Sequence, residues 1–118
     1  MKVLVTGATG FIGSNLVDEL VKKKKKVRIL TRKTNKTEKF ESLGIEVFNG
    51  CLEDYDSLLN ATKNIDAVYH LAAMLGSPEI PYKKIYDVNV KGTENLVRAC
   101  EKNNVKRFVL ISSVAAMG

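Results

Sequence analysis

The sequence contains no tryptophan, one histidine, two cysteines and two prolines in 118 residues. Each scarcity excludes something. His70, being alone, cannot build a multi-histidine metal centre. Cys51 and Cys100 form neither a disulfide framework nor a Cys-x-x-Cys site, so a reduced, cytoplasmic protein is expected. No apolar run approaches the ~20 residues that a membrane-spanning helix needs. The run Lys2-Val3-Leu4-Val5 is too short for a signal-peptide core. Pro/Gly-rich linkers and internal repeats are absent, which leaves one domain. The tyrosines are Tyr55, Tyr69, Tyr82 and Tyr86, and four residues beyond them stand Leu59, Ala73, Tyr86 and Val90. No tyrosine therefore has a lysine one helical turn onward.

Acidic residues are outnumbered, thirteen to nineteen basic, for a net charge of +6. Five of the positive charges are consecutive, Lys22 to Lys26, where the first helix should end. Lysines there complement the negative end of the helix dipole and extend into water. No aromatic residue interleaves with them, as a base-stacking surface would require. Nucleic acid and membrane are accordingly not expected partners.

What the sequence does have is a glycine turn in a telling context. Thr6-Gly7-Ala8-Thr9-Gly10-Phe11-Ile12-Gly13 follows a short apolar run and opens a segment in which Phe11, Ile12, Leu16, Val17 and Leu20 recur at helical spacing. That reads as strand, tight turn, helix. Gly7 allows an exit from the strand that a Cβ would forbid, Gly10 allows backbone N–H groups to approach a pyrophosphate, and Gly13 allows close packing of the helix. The helix N-terminus, with unpaired N–H groups, faces the phosphates.

Beyond the turn, apolar strand-like runs alternate with helical patterns, the mark of a parallel sheet. Strands are expected at 2–6, 27–31, 45–49, 66–70 and 107–112, and helices near 11–23, 37–43, 55–62 and 82–103. Right-handed crossovers then give a doubly wound α/β sheet of order 3-2-1-4-5. Helices 11–23 and 37–43 should cover one face, and 55–62 and 82–103 the other. The fifth strand falls at an edge.

The second strand ends Thr31-Arg32, where an acid would be expected to hold the ribose 2′-hydroxyl of NAD. A guanidinium without a carboxylate suits the 2′-phosphate of NADP, so NADP is expected, with NAD as the alternative.

The spacing Gly-x-x-Gly-x-x-Gly, with its leading Thr and following Phe-Ile, resembles the extended short-chain dehydrogenase/reductase superfamily. That group includes NAD(P)-dependent nucleotide-sugar epimerases, dehydratases and ketone reductases. Three later stretches extend the resemblance: Gly50-Cys51-Leu52-Glu53-Asp54, His70-Leu71-Ala72-Ala73, and Asn89-Val90-Lys91-Gly92-Thr93-Glu94-Asn95-Leu96. The first departs from the family pattern, with Cys51 where an Asp usually stands near the adenine.

The resemblance implies a Rossmann-like dinucleotide-binding domain over 1–118, incomplete, ending before the sixth strand and substrate lobe of relatives. Gly7, Thr9, Gly10, Phe11, Ile12 and Gly13 would hold the pyrophosphate. Thr31 and Arg32 would face the adenosine ribose, Cys51 and Leu52 would flank the adenine, and Leu71, Ala72 and Ala73 would line the ribose side. Asn89, Ile111 and Ser112 would complete the cofactor site. Ser113 matches the catalytic serine that works beside a Tyr-x-x-x-Lys pair, which is missing from this chain. His70 is expected to be a half-buried structural residue, and Gly92 to permit close packing on the sheet. No metal site is expected. The implied function is hydride transfer on a nucleotide-sugar or ketone/alcohol substrate in a longer protein. The alternative is a non-catalytic dinucleotide-binding or redox-sensing module. A small-molecule substrate is the expected partner, and a homodimer stays open.

Overall fold

A computed structural model describes residues 1–8, 11–32, 38–71 and 82–111, with residues 11, 12 and 82–89 described by backbone. Five strands and four helices alternate: β1 (Lys2–Thr6), α1 (Phe11–Lys22), β2 (Lys26–Thr31), α2 (Glu38–Ser42), β3 (Glu46–Asn49), α3 (Tyr55–Ala61), β4 (Ala67–His70), α4 (Tyr82–Lys102) and β5 (Arg107–Leu110). All pairings are parallel, in the order β3-β2-β1-β4-β5. The expected topology is therefore the observed one. The expected fifth strand is shortened: Ile111 follows β5, and Ser112 lies outside the described residues.

Alternation along β1 explains how one short strand organises two cores. Val3 and Val5 enter a cluster with Val17 and Leu20 of α1, Val27 and Ile29 of β2, and Phe40 of α2. Leu4, between them, faces the other way, toward Leu58 and Ala61 of α3 and Leu96, Ala99 and Cys100 of α4. All three β1 residues are fully buried, as a central parallel strand requires. Burial also pushes the Cys100 thiol up to about 11, consistent with a packed rather than reactive cysteine. The outer strands differ. In β5, Arg107 and Leu110 are exposed, and no strand lies on its outer side among the described residues.

One residue breaks the apolar rule of the interior. Arg28, in the middle of β2, is 7% exposed. Its Nε donates to Glu46 Oε1 of β3 at 2.8 Å, and its Nη1 donates to the carbonyls of Ala61 and Lys63 at 2.6 and 3.0 Å. The guanidinium thus satisfies carbonyls left unpaired at the end of α3. The same bond from Arg28 holds the Glu46 carboxyl below its ordinary range.

Three helices reach the next strand through one device. After α1, Lys25 N–H donates to Leu20 O at 3.1 Å and Lys24 N–H to Val21 O at 2.9 Å. The same pair of bonds closes α2 at Ile45 and Gly44, and α4 at Val105 and Asn104. Each is a Schellman ending, which puts its pivot residue in the left-handed region. The pivots are Lys24, Gly44 and Asn104, with φ of 60°, 78° and 58°. Within the lysine run, Lys24 therefore has a backbone task as well as a charge.

Candidate dinucleotide site

The parallel register brings the carboxyl ends of the strands to one side. Thr6 lies opposite both Leu30 and His70, Thr31 opposite Asn49, and His70 opposite Leu110. The strand order reverses direction beside β1, and ligands of open α/β sheets bind outside the strand ends at such a point.

The turn after β1 is built as the glycine spacing demands. Gly7 has φ of 77°, a conformation unfavourable for a side chain. A Cβ on Gly13 would overlap the Gly7 carbonyl oxygen and lie 2.7 Å from Ala8 Cα, so only glycine fits there. Its constraint is the turn itself rather than the body of the strand. Ser14 Oγ donates to Ala8 O at 3.0 Å, further fixing the turn against the first turn of α1. Phe11 and Ile12 begin that helix. Thr9 and Gly10 lie outside the described residues.

Across the strand gap, His70 is buried at 3% exposure, a correction to the half-buried residue expected. Its Nδ1 is 2.7 Å from Thr6 Oγ1 and its Nε2 is 3.1 Å from Thr93 Oγ1. The ring therefore ties the ends of β1 and β4 to α4. Thr6 Oγ1 also accepts from Leu71 N–H at 3.1 Å. Desolvation pushes the imidazole down to about 4, so it is neutral at pH 7. Phe108 of β5 packs beside it, ring centroids 6.2 Å apart.

The loop after β3 is seated by the motif expected in α4. Leu52 is 7% exposed, and a Cβ on Gly92 would lie 2.8 Å from Leu52 Cβ. Gly92 thus admits this loop rather than the sheet, and the physical reason is that Leu52 is wedged between α4 and the core. Asn95 Nδ2 donates to Leu52 O at 3.0 Å. Leu52, expected to flank the adenine, is a core residue. Ser57 holds the loop from the other side: its Oγ accepts from Cys51 N–H at 3.2 Å and donates to Asp54 O at 2.8 Å. Asp54 caps α3, accepting from Ser57 N–H.

Outside this loop, at the ends of β2 and β3, opens a cavity of about 280 Å³ lined by Arg32, Asn49, Gly50, Cys51 and Glu53. Cys51 and Arg32, expected at the adenine and at the 2′-phosphate, both line this cavity. Thr31 is turned inward at 6% exposure. The sequence reading missed Glu53. Its Oε1 is 3.0 Å from Arg32 Nη2, so the guanidinium at the end of β2 has a carboxylate partner 21 residues away. Its position beside Gly50 and Cys51 was the available signal.

Ile111 N–H donates to His70 O at 3.1 Å, placing Ile111 at the same end of the sheet, and Leu71 lies partly buried beside β1. Asn89 is on α4. Ala72, Ala73, Ser112 and Ser113 lie outside the described residues. Among the described residues no cluster of His, Cys, Asp and Glu could hold a metal ion, and no helix is long and apolar enough to cross a membrane.

Residues 3–118 match the NAD dependent epimerase/dehydratase family. The chain belongs to that family. It is 36% identical over 118 residues to sterol demethylase protein B of Methylococcus capsulatus, covering all of this chain and 36% of that protein. Among solved structures, it is similar to MoeE5 in complex with UDP-glucose and NAD: 37% identity, TM-score 0.80, all of this chain and 38% of the other. It is also similar to UDP-N-acetylglucosamine 4-epimerase from Bacillus cereus, with 32% identity, TM-score 0.80, and 98% and 36% coverage. The chain thus spans about a third of the length of these relatives.

Proposed function

We propose that this chain is the dinucleotide-binding portion of an NAD(P)-dependent oxidoreductase, epimerase or dehydratase. The observation that carries the reading is Gly13, where a Cβ would collide with the backbone of the turn from Gly7 to Ala8. That close approach sets a helix start directly beyond the end of β1, the arrangement that presents N–H groups to a pyrophosphate. Bound NAD in MoeE5 supports the same reading from a relative.

The residues fit such a group. Gly7 and Gly13 shape the turn, and Phe11 and Ile12 begin the helix whose N–H groups would meet the phosphates. The cavity beside Cys51 would take the adenine, and Arg32 would hold a 2′-phosphate. The chemistry that a bound dinucleotide supplies is hydride transfer at its nicotinamide ring. His70, neutral and hydrogen-bonded through both nitrogens, keeps β1, β4 and α4 in register beneath the site. By its match to relatives, Ser113 would position the reacting oxygen of the substrate, while the proton-transferring tyrosine would come from outside this chain. The substrate class, a nucleotide sugar or a ketone/alcohol, is an expectation from the family. Its members here include proteins named for sterol and for UDP-sugar chemistry.

Calorimetric titration with NADPH and NADH tests the cofactor assignment. NADPH is expected to bind more tightly, and Arg32→Ala to weaken NADPH alone by about 1.5–3 kcal/mol, the range for a hydrogen bond to a charged group. Equal losses for the two nucleotides would show that Arg32 does not read the phosphate.

A further inference from the structure

The Arg32–Glu53 pair lines the cavity at the ends of β2 and β3 and adds little to the fold. The two side chains are 60% and 55% exposed, and they join at a single contact of 3.0 Å. Exposed pairs of this kind contribute little to stability, since water and salt screen them. The loop that carries Glu53 is fixed by other means: Leu52 in the core, Asn95 on the Leu52 carbonyl, and Ser57 across Cys51 and Asp54. Glu53 is therefore held at the cavity edge by neighbours that do not depend on its charge.

A carboxylate in that place has a chemical consequence. A 2′-phosphate carries up to two negative charges and binds a guanidinium through short charge-assisted bonds. To make them it would have to displace Glu53 from Arg32 and then remain beside a like charge. A 2′-hydroxyl carries no charge and meets no such opposition. On the reading that this cavity takes the adenosine half of a dinucleotide, we propose that Glu53 is a specificity-determining residue. By competing for Arg32, its carboxylate lowers affinity for NADP(H) and leaves affinity for NAD(H) unchanged.

The test compares NADPH and NADH binding by calorimetry in the wild-type chain, Glu53→Gln, Arg32→Ala and the double variant. Glu53→Gln keeps the size of the side chain and removes its charge. It is expected to tighten NADPH about three- to tenfold while NADH stays within about twofold. In the Arg32→Ala background the same change should give a smaller gain for NADPH, because the competition for the guanidinium is gone and only the direct repulsion between carboxylate and phosphate is relieved. A purely structural Glu53 would move both nucleotides together, which would overturn the proposal. Weaker NADH binding in Glu53→Gln would also overturn it, by making Glu53 a ribose ligand. In either case the dinucleotide reading would stand, since the wild-type chain binds. A wild-type chain that binds neither nucleotide would remove that reading and this proposal with it.

Discussion

At the scale of single residues, His70 shows how one side chain couples stability to pH. Its folded pKa of about 4 lies below the ordinary value of 6.5. As pH falls from 6.5 toward 4, the unfolded chain takes up a proton that the folded chain refuses. Stability contributed by the neutral ring is complete above about pH 6.5 and drains away toward pH 4, by on the order of 3 kcal/mol. Glu46 acts in the same direction at lower pH, because its lowered carboxyl stabilises the fold only while ionised. Urea denaturation at pH 7 and pH 4.5 should therefore show a steep loss in the wild type and a shallower one in His70→Gln. Identical slopes would mean that the imidazole does not carry the effect. Gly7 and Gly13 were legible at this scale because a glycine spacing states a backbone requirement directly. The depth of His70 was not, since its burial depends on Phe108 and Thr93, which arrive from distant segments.

The elements were legible in kind and order, while their limits moved by a residue or a few. Periodicity finds where a helix must bury a face, and the ends are set by local bonds that it does not see. The exit from α1 illustrates this. The lysine run was readable as solvated charge, yet the left-handed backbone at Lys24 follows from two hydrogen bonds to Val21 and Leu20. The corresponding pivots elsewhere are Gly44 and Asn104, residue types that tolerate this region, and lysine does so at a cost. Lys24→Gly is expected to raise unfolding stability by about 0.5–1 kcal/mol, measured by urea denaturation. A lower midpoint for the variant would show that the lysine side chain matters more than the backbone. The motif in α4 was recognisable as a pattern, but its mechanical use was not. Gly92 and Asn95 receive Leu52 from a loop 40 and 43 residues earlier, a partnership that only the folded chain displays.

For the whole molecule, alternating strands and helices sufficed to give the sheet order, because parallel strands need crossovers and crossovers need helices. The division of helices between two faces followed from that order and is the one observed. What the sequence concealed was the joining of separate strand ends into one cavity. Arg32 read as a cation with no carboxylate beside it until β2 and β3 came side by side and placed Glu53 against it. The central claim is that the carboxyl ends of β1, β2 and β3 together hold a dinucleotide. Hydrogen exchange of the whole chain with and without NADPH measures this most directly. Slower exchange is expected at the turn between Thr6 and Ser14 and at the loop Gly50–Asp54. The loops at the opposite end of the sheet, Lys22–Lys25, Lys63–Asp66 and Asn103–Lys106, should be unchanged. Protection confined to that opposite end, or no protection at a saturating nucleotide concentration, would contradict the account.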